Sequence, residues 1–553
     1  MKKNIIMKKS TFLTGTFITT IGIVLSKVLG ALYVVPFHAI IGEKGGALYG
    51  YAYTIYNGLL SLSTAGIPLA VSKVVSEYKA LGFQKAKAQT LVLGKRVAVI
   101  LGVSCFAFVF FFAPFLAKII LGDVVGGNTV QDITFVIRVI SIAILIVPLL
   151  SVYRGYFEGH RFFGPSSISQ VLEQFIRVLV IIFGSFLFLK VFHFDLTNCV
   201  AVALFGATVG ALCSYAYLFL KKLKNEKKFQ TSYYSVNEPI IVNKVIIKKI
   251  FYYAIPFVFI DLFKSFYGYT DMVTLVKFLV KKASFSPGDA ETIYSIFSTW
   301  AQKFNMIILA ISSGIIVSLI PNLTECMVKD ERKQIHKKII QGLNILLYLT
   351  IPLTLGISFL AKPIWILFYG NSVYGPNILS YYIFIGLFVG LFSFVVIVLQ
   401  TLKDFKAVFF SLSVGVLLKV FFNNKFLLAF VHMRFPAYYG AITATIIGYF
   451  VSFIICLIVF QKKYFISFES VIENFIDVMC CSIFMVVCLV VVKFFLPFYS
   501  KVRVHNVWII IIYGVVGMLA YFGSSTLCGL TEKVFGKKVL DRIRKKIFLK
   551  KLS

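Results

Sequence analysis

Apolar stretches of about twenty residues, separated by short polar breaks, run through almost the whole chain. A helix needs roughly 20 residues to cross a hydrocarbon core about 30 Å thick, and about fourteen stretches between residues 11 and 529 meet that length. The pattern predicts an all-α, polytopic membrane protein. The longest basic polar stretch, 222–249, separates six spans (1–221) from six more (250–460) and is expected to link two lobes. Two further spans occupy 461–529. A tail at 530–553 mixes apolar and basic residues at helical spacing, as expected of a segment lying along the inner leaflet.

Composition agrees. Hydrophobic residues make up 59% of the chain and charged residues 14%, against about 45–50% and about 25% in ordinary globular proteins. Disorder, a coiled coil, a disulfide scaffold and a string of soluble domains are excluded. A formal net charge of +34 would point to nucleic acid in a soluble chain, but here Lys and Arg cluster between apolar runs, as in loops facing anionic headgroups. The expected partners are therefore anionic membrane lipids and no nucleic acid. With the amino terminus inside, inner loops and tails carry roughly 38 basic residues and outer loops about 13, so both termini are expected on the cytoplasmic side of a bacterial plasma membrane. The basic, then apolar, amino terminus lacks a small-residue cleavage site and reads as a retained first span.

The second and eighth spans end alike: Gly66 and Gly314 each stand eleven residues before an acid, Glu77 and Glu325. Either the lobes are parallel repeats or these are two unrelated helix exits. Seven prolines in or beside apolar runs (36, 68, 114, 148, 256, 321 and 352) free backbone carbonyls, which hydrocarbon tolerates only beside another helix or a wet cavity.

About five basic residues fall inside predicted spans, each costing roughly 2.5–3.5 kcal/mol at a helix centre. Arg138 lies near its helix end and is expected to snorkel outward. Arg177 follows Glu173 by four residues and shares a polar stripe with Gln170 and Gln174, which is either an ion pair within the helix or a cavity lining. Lys264 shares one face with Asp261 and Asp271 and is expected to meet water. Lys27 has no acid at helical spacing. Lys303 stands beside Gln302 and Asn305. Cations facing a common cavity suit an anionic group, above all phosphate, unless Asp261 or Asp271 neutralises them across helices.

Enzymatic chemistry finds no support. The six histidines and nine cysteines form no metal-type spacing, and no Walker or Rossmann loop is present, so no cofactor is expected.

Three strings carry a family likeness: SKVLGALYVVPFHAIIGEKGGALYGYAYTIYN, STAGIPLAVSKVVSEY, and RGYFEGHRFFGPSSISQVLEQFIRV from Arg154 to Val178. They resemble the Gram-positive branch of MurJ-type lipid II flippases, together with stage V sporulation protein B and related members of the multidrug/oligosaccharidyl-lipid/polysaccharide exporter superfamily. The resemblance implies two six-helix lobes around a V-shaped cavity, with two extra helices holding a lipid-tail groove. It further implies transport of undecaprenyl-pyrophosphate-linked cell-wall precursor by alternating access. Lys27 occupies the position of the family's cavity cation in S-[RK]-V-L-G. The eighth span departs from the pattern, because an arginine common near Trp300 to Gln302 in relatives is here replaced only by Lys303. Arg154, Gly155 and Gly159 match a loop string for which a structural or gating role at the inner face is expected.

Three rivals stand beside this. A drug antiporter of the same fold would need an unpaired acid in its cavity. A flippase for another lipid-linked polysaccharide differs only in its sugars, and a glycan polymerase would need an outer-face catalytic carboxylate. Coupling to Na⁺ or H⁺ through Asp261, Asp271 or Glu173, and contacts with cell-wall synthesis proteins, are open.

Overall fold

The computed structural model describes residues 22, 25–27, 29–30, 33–64, 66–229, 239–497 and 502–536. Most of the expected first span, part of the basic stretch at 222–249, and the tail beyond 536 therefore lie outside the described residues. The described secondary structure is helical: α1 Val34–Thr64, α2 Ile67–Ala80, α3 Gln84–Leu121, α4 Val130–Ser141, α5 Ala143–Gly159, α6 Phe163–Leu179, α7 Leu196–Lys224, α8 Glu226–Phe229, α9 Asn243–Lys282 and α10 Pro287–Ser295. There follow α11 Gln302–Val328, α12 Arg332–Phe359, α13 Ala361–Tyr369, α14 Gly375–Thr401, α15 Phe405–His432, α16 Tyr438–Tyr464, α17 Glu469–Phe495, α18 Arg503–Leu527 and α19 Leu530–Phe535. Among the described residues, 10 helices of 25–38 residues are long and apolar enough to cross a membrane, consistent with the 1.5 Å rise per residue and a core about 30 Å thick.

The chain forms two compact units, Met1–Trp300 and Ala301–Ser553. This boundary of packing differs from the 222–249 boundary read by span count, because α9 and α10 pack against α1, and α9 also against α2 and α3. The second expected span, 49–72, is interrupted: α1 stops at Thr64 and α2 begins with Pro68 in its first turn, where a missing N–H costs nothing. Gly66 at the break presses on the Ala254 backbone, whereas Gly314 has nothing within 4 Å. The two glycines of the suggested repeat therefore do not share an environment.

Three prolines inside helices show how freed carbonyls are met. Pro114 leaves the Phe110 carbonyl without its helical donor, and Arg138 Nε donates to it at 3.3 Å. Arg138 thus turns onto a neighbouring helix instead of snorkelling outward. Pro352 frees the Tyr348 carbonyl, which accepts from the Tyr521 hydroxyl at 2.8 Å. Pro148 frees the Ile144 carbonyl, and Gly102 approaches it so closely that a Cβ would stand 3.0 Å away. At Pro114 and Pro352 a side chain from another helix substitutes for the lost bond, and at Pro148 the freed carbonyl is packed against a glycine of another helix.

Gly155 and Gly159 form a small-xxx-small ridge on α5, a sequence that lets helices approach closely in lipid. They are helical, not in a loop, and they seat α5 on α2: a Cβ at Gly155 would lie 2.9 Å from the Pro68 Cα, and one at Gly159 would lie 2.7 Å from the Ser72 carbonyl oxygen. Both obstacles are backbone and cannot rotate away. Gly155→Ala should destabilise the protein by about 1–3 kcal/mol, the usual cost of overpacking. Gly164→Ala, with open space around it, should cost much less. Thermal unfolding of the two purified variants compares them.

Candidate functional site

In the first unit, charged side chains from α5 and α6 meet one another. The rotation of α6 is fixed from behind by a ridge of small residues on α7: a Cβ at Gly206 would stand 3.1 Å from the Arg177 carbonyl oxygen and one at Gly210 would stand 2.6 Å from that of Glu173. One turn on, Ser214 Oγ donates to the Ser169 carbonyl at 2.8 Å.

Glu173 accepts from two arginines. Arg177 reaches its Oε1 at 2.6 Å and Arg154 reaches its Oε2 at 2.9 Å, with every one of these side chains only 13% exposed. Arg154 Nε also donates to Ser169 Oγ at 2.8 Å. Arg154, expected in a cytoplasmic loop, is therefore a helical residue of α5 completing a buried triad. Its long side chain spans to the next helix, which linear spacing does not reveal. Two guanidinium groups share the Glu173 carboxylate, and a second acid, Glu158, which accepts from Ser166 Oγ at 2.6 Å, lies within electrostatic range of Arg154.

Lys27 belongs to a helical segment that packs on the same helix, α6. The helical residues around it pack on α6, with Gly22 against Ser167 and Gly30 against Gln174, and Lys27 itself is half-buried. Facing the arginines from α1 are Tyr49, Tyr53 and Tyr56, which lie within electrostatic range of Arg177. Tyr49 and Tyr53 are stacked, with ring centroids 5.3 Å apart.

The remaining predicted residues separate. Lys264 stands 3.9 Å from Asp261, both partly exposed, so this pair closes within α9; Asp271 is half-buried further along the same helix. Gln302, Lys303 and Asn305 belong to the second unit. Gln302 is exposed and Lys303 half-buried. Asn305 is 5% exposed and packs under Gly386, whose Cβ would meet its Oδ1 at 2.8 Å. It therefore faces α14 and not a wet lining. Sequence reasoning also passed over Lys419, fully buried in α15, whose Nζ donates to the Ala441 carbonyl at 2.9 Å. The signal was present, since an ammonium inside the stretch 407–424 needs an oxygen ligand as much as Lys27 does. Glu291 was likewise missed: at 1% exposure it accepts from the Asn128 backbone N–H and side-chain amide at 2.9–3.0 Å.

The second unit contains two apolar clefts. One, of about 400 Å³, lies among α12, α13, α17 and α18, with Pro352, Leu489, Tyr513 and Gly517 on its walls. The other, of about 560 Å³, lies among α12, α14, α16 and α17, with Leu347, Phe388, Phe453 and Phe475 on its walls. Near the first, Tyr348, Ser525 and Thr531 form a buried ring of hydroxyls 2.9–3.1 Å apart that ties α12 to α18 and α19.

Residues 12–327 match the family model described as polysaccharide biosynthesis protein. The chain is 30% identical over 547 residues to the lipid II flippase MurJ of Bacillus subtilis (strain 168), covering 97% of this chain and 99% of the relative. Stage V sporulation protein B of the same organism is 31% identical over 248 residues, 42% of this chain and 46% of the relative. Among solved structures, a lipid II flippase MurJ in an inward closed conformation aligns with a TM-score of 0.69 at 16% identity, covering 93% of this chain and 99% of that one. An inward-facing multidrug resistance MATE transporter of the MOP superfamily aligns with a TM-score of 0.62 at 12% identity, covering 79% and 94%. These structures share the fold that the helix pattern and the strings around Lys27 and Arg154 anticipated, and the chain belongs to the polysaccharide biosynthesis protein family, within its group of MurJ flippases.

Proposed function

We propose that the chain is a lipid flippase that carries undecaprenyl-pyrophosphate-linked peptidoglycan precursor, lipid II, from the inner to the outer leaflet of the bacterial plasma membrane by alternating access of two six-helix lobes. The observation that supports this is the gathering of cations around α6, with two arginines on the Glu173 carboxylate and Lys27 on a helical segment that packs on α6. Such a site attracts a diphosphate and repels a cationic drug, which sets the antiporter alternative aside. A polar glycan cannot enter hydrocarbon without its own hydrogen-bond partners, whereas a polyprenyl tail stays in lipid and suits the apolar cleft beside α17 and α18.

The charge bias of the loops supports a cytoplasmic position for both termini and contact of the basic loops and tail with anionic lipid. With the interior negative, each negative charge exported is favoured by about 2.3 kcal/mol per 100 mV, so the potential drives turnover without a nucleotide. Asp261, Asp271 and Glu173 are the acids through which Na⁺ or H⁺ would couple. Cell-wall synthesis proteins, which consume the product at the outer face, are the natural partners.

The runner-up is a flippase for another lipid-linked polysaccharide repeat, which the partial likeness to a sporulation protein supports. Both substrates share the diphosphate, so only the sugars separate them. The test is reconstitution in liposomes with labelled lipid II, a lipid-linked teichuronic repeat and a cationic dye in parallel. Appearance of the lipid II headgroup in the opposite leaflet, with the dye retained, is the expected outcome. Movement of the other repeat alone would favour the runner-up, and movement of the dye alone would restore the antiporter.

A further inference from the structure

Consecutive helices joined by a short connection ordinarily lie side by side. Only Phe465 to Phe468 join α16 to α17, yet α16 packs chiefly on α15 and α14, and α17 on α12 and α18. The splayed pair holds between its helices the apolar cleft of about 560 Å³. Its floor, formed by Leu343, Leu347 and Ile351 of α12 with Leu387 and Leu391 of α14, is at most 9% exposed. Its walls stand open: Phe450, Ile454 and Ile458 on α16, with Ile472 and Phe475 on α17, are 36–59% exposed. A gap left empty forfeits the dispersion contacts of every atom around it, so a cleft open to hydrocarbon takes up a chain from the bilayer.

The depth of the cleft says which chain. Its lining runs from Phe450 to Gln461 on α16 and from Phe468 to Met479 on α17. Eleven residues rise roughly 16 Å, about half of a core 30 Å thick. The cleft therefore starts at the α16–α17 loop and ends near the bilayer midplane, as the acyl chain of a phospholipid does. A polyprenyl tail is several times longer. The charge bias of the loops supports a cytoplasmic position for this end, where the leaflet is rich in anionic lipid.

The mouth complements such a lipid. Gln461 lies on the lining, and the exposed Lys462 and Lys463 follow it. The Lys463 Nζ and the Tyr464 hydroxyl donate to Asp404 at 2.6 and 3.2 Å, which draws the α14–α15 corner, with exposed Lys403 and Lys406, to the end of α16. Four lysines thus stand here against two acids, Asp404 and Glu469. Glu473 and Asp477 lie on the opposite face of α17 from the cleft, Asp477 bonded to Lys533 at 2.9 Å and Glu473 within electrostatic range of it.

We propose that this cleft is a phospholipid site, in which one acyl chain of an inner-leaflet lipid fills the seam between α16 and α17 while its anionic headgroup meets Gln461, Lys462 and the lysines of the α14–α15 corner. The lipid takes the place of the helix–helix contact that the splay removes. The site is separate from the apolar cleft beside α18 and does not depend on what the protein carries.

The experiment titrates delipidated full-length protein in detergent with phosphatidylglycerol, with phosphatidylcholine of the same chains, and with undecaprenyl phosphate, and counts retained lipid by native mass spectrometry. The native protein should retain phosphatidylglycerol more tightly than phosphatidylcholine. Lys462→Ala should weaken phosphatidylglycerol about fivefold, the effect of one lysine beside anionic lipid, and leave phosphatidylcholine unchanged. Ile458→Trp, which narrows the opening from an exposed wall, should weaken both phospholipids and spare undecaprenyl phosphate. Leu417→Trp, an equally exposed position on α15 away from the cleft, should change none of the three. Absence of retained phospholipid, equal retention of the two headgroups by the native protein, or unaltered phospholipid binding in Ile458→Trp would overturn the proposal. So would an Ile458→Trp variant that loses undecaprenyl phosphate and keeps phosphatidylglycerol, which would assign the cleft to the polyprenyl chain.

Discussion

Lys27→Ala slows lipid II transport by roughly tenfold to a hundredfold or more while the protein inserts and folds as before. A hydrogen bond to a charged group contributes about 1.5–3 kcal/mol, so losing the ammonium from a diphosphate-bound intermediate slows turnover by roughly tenfold to a hundredfold or more. Stability should move the other way. An ammonium at membrane depth costs roughly 2.5–3.5 kcal/mol on insertion, and alanine does not carry that cost. A variant with unchanged or raised thermal stability and strongly slowed transport is the mark of a residue kept for its cargo. Lys27→Arg, which preserves the charge, should keep a substantial part of the rate. Parallel thermal unfolding and headgroup-accessibility assays on the three proteins decide the matter, and undiminished transport by Lys27→Ala would remove the phosphate role of this residue.

The largest stability loss is expected at Glu173. Its carboxylate is bonded to both Arg154 and Arg177 in surroundings that leave each side chain 13% exposed. Glu173→Ala strands two buried guanidinium groups, and breaking a buried pair costs about 3–5 kcal/mol. That is a large share of the roughly 5–15 kcal/mol by which folded proteins are stable, so the variant should express poorly and unfold at a much lower temperature. Glu173→Gln keeps one acceptor oxygen but loses the charge, and should fall between. Glu226→Ala provides the comparison: Glu226 pairs with Lys222 at 3.2 Å but is 56% exposed, and such pairs contribute about 0–1 kcal/mol. If Glu173→Ala and Glu226→Ala unfold at the same temperature, the triad does not hold the first unit together.

What could be read from the sequence follows a simple division. Apolar length and loop charge are local properties, so the all-α membrane fold was visible before any coordinates. The Glu173–Arg177 pair was visible for the same reason, since four residues is one helical turn. Arg154 was not, because its partner lies nineteen residues away and the contact depends on how α5 crosses α6. Asn305 was misplaced through the same gap: polarity in a helix does not say whether the side chain meets water or, as here, the backbone of Gly386. The break at Gly66 was hidden because the apolar run continues across it, although Pro68 was a usable sign. Arg138 and Tyr521 show that each proline in a helix should be read with a search for the donor that serves the carbonyl four residues before it.

A cationic site is expected to pass a negatively charged headgroup across the membrane under the pull of the potential. The most direct measurement imposes a diffusion potential on proteoliposomes holding labelled lipid II and follows headgroup exposure over time. Transfer should speed up when the side of origin is negative and slow when the sign is reversed. A rate indifferent to the sign, from protein shown to be folded and active, would contradict the account.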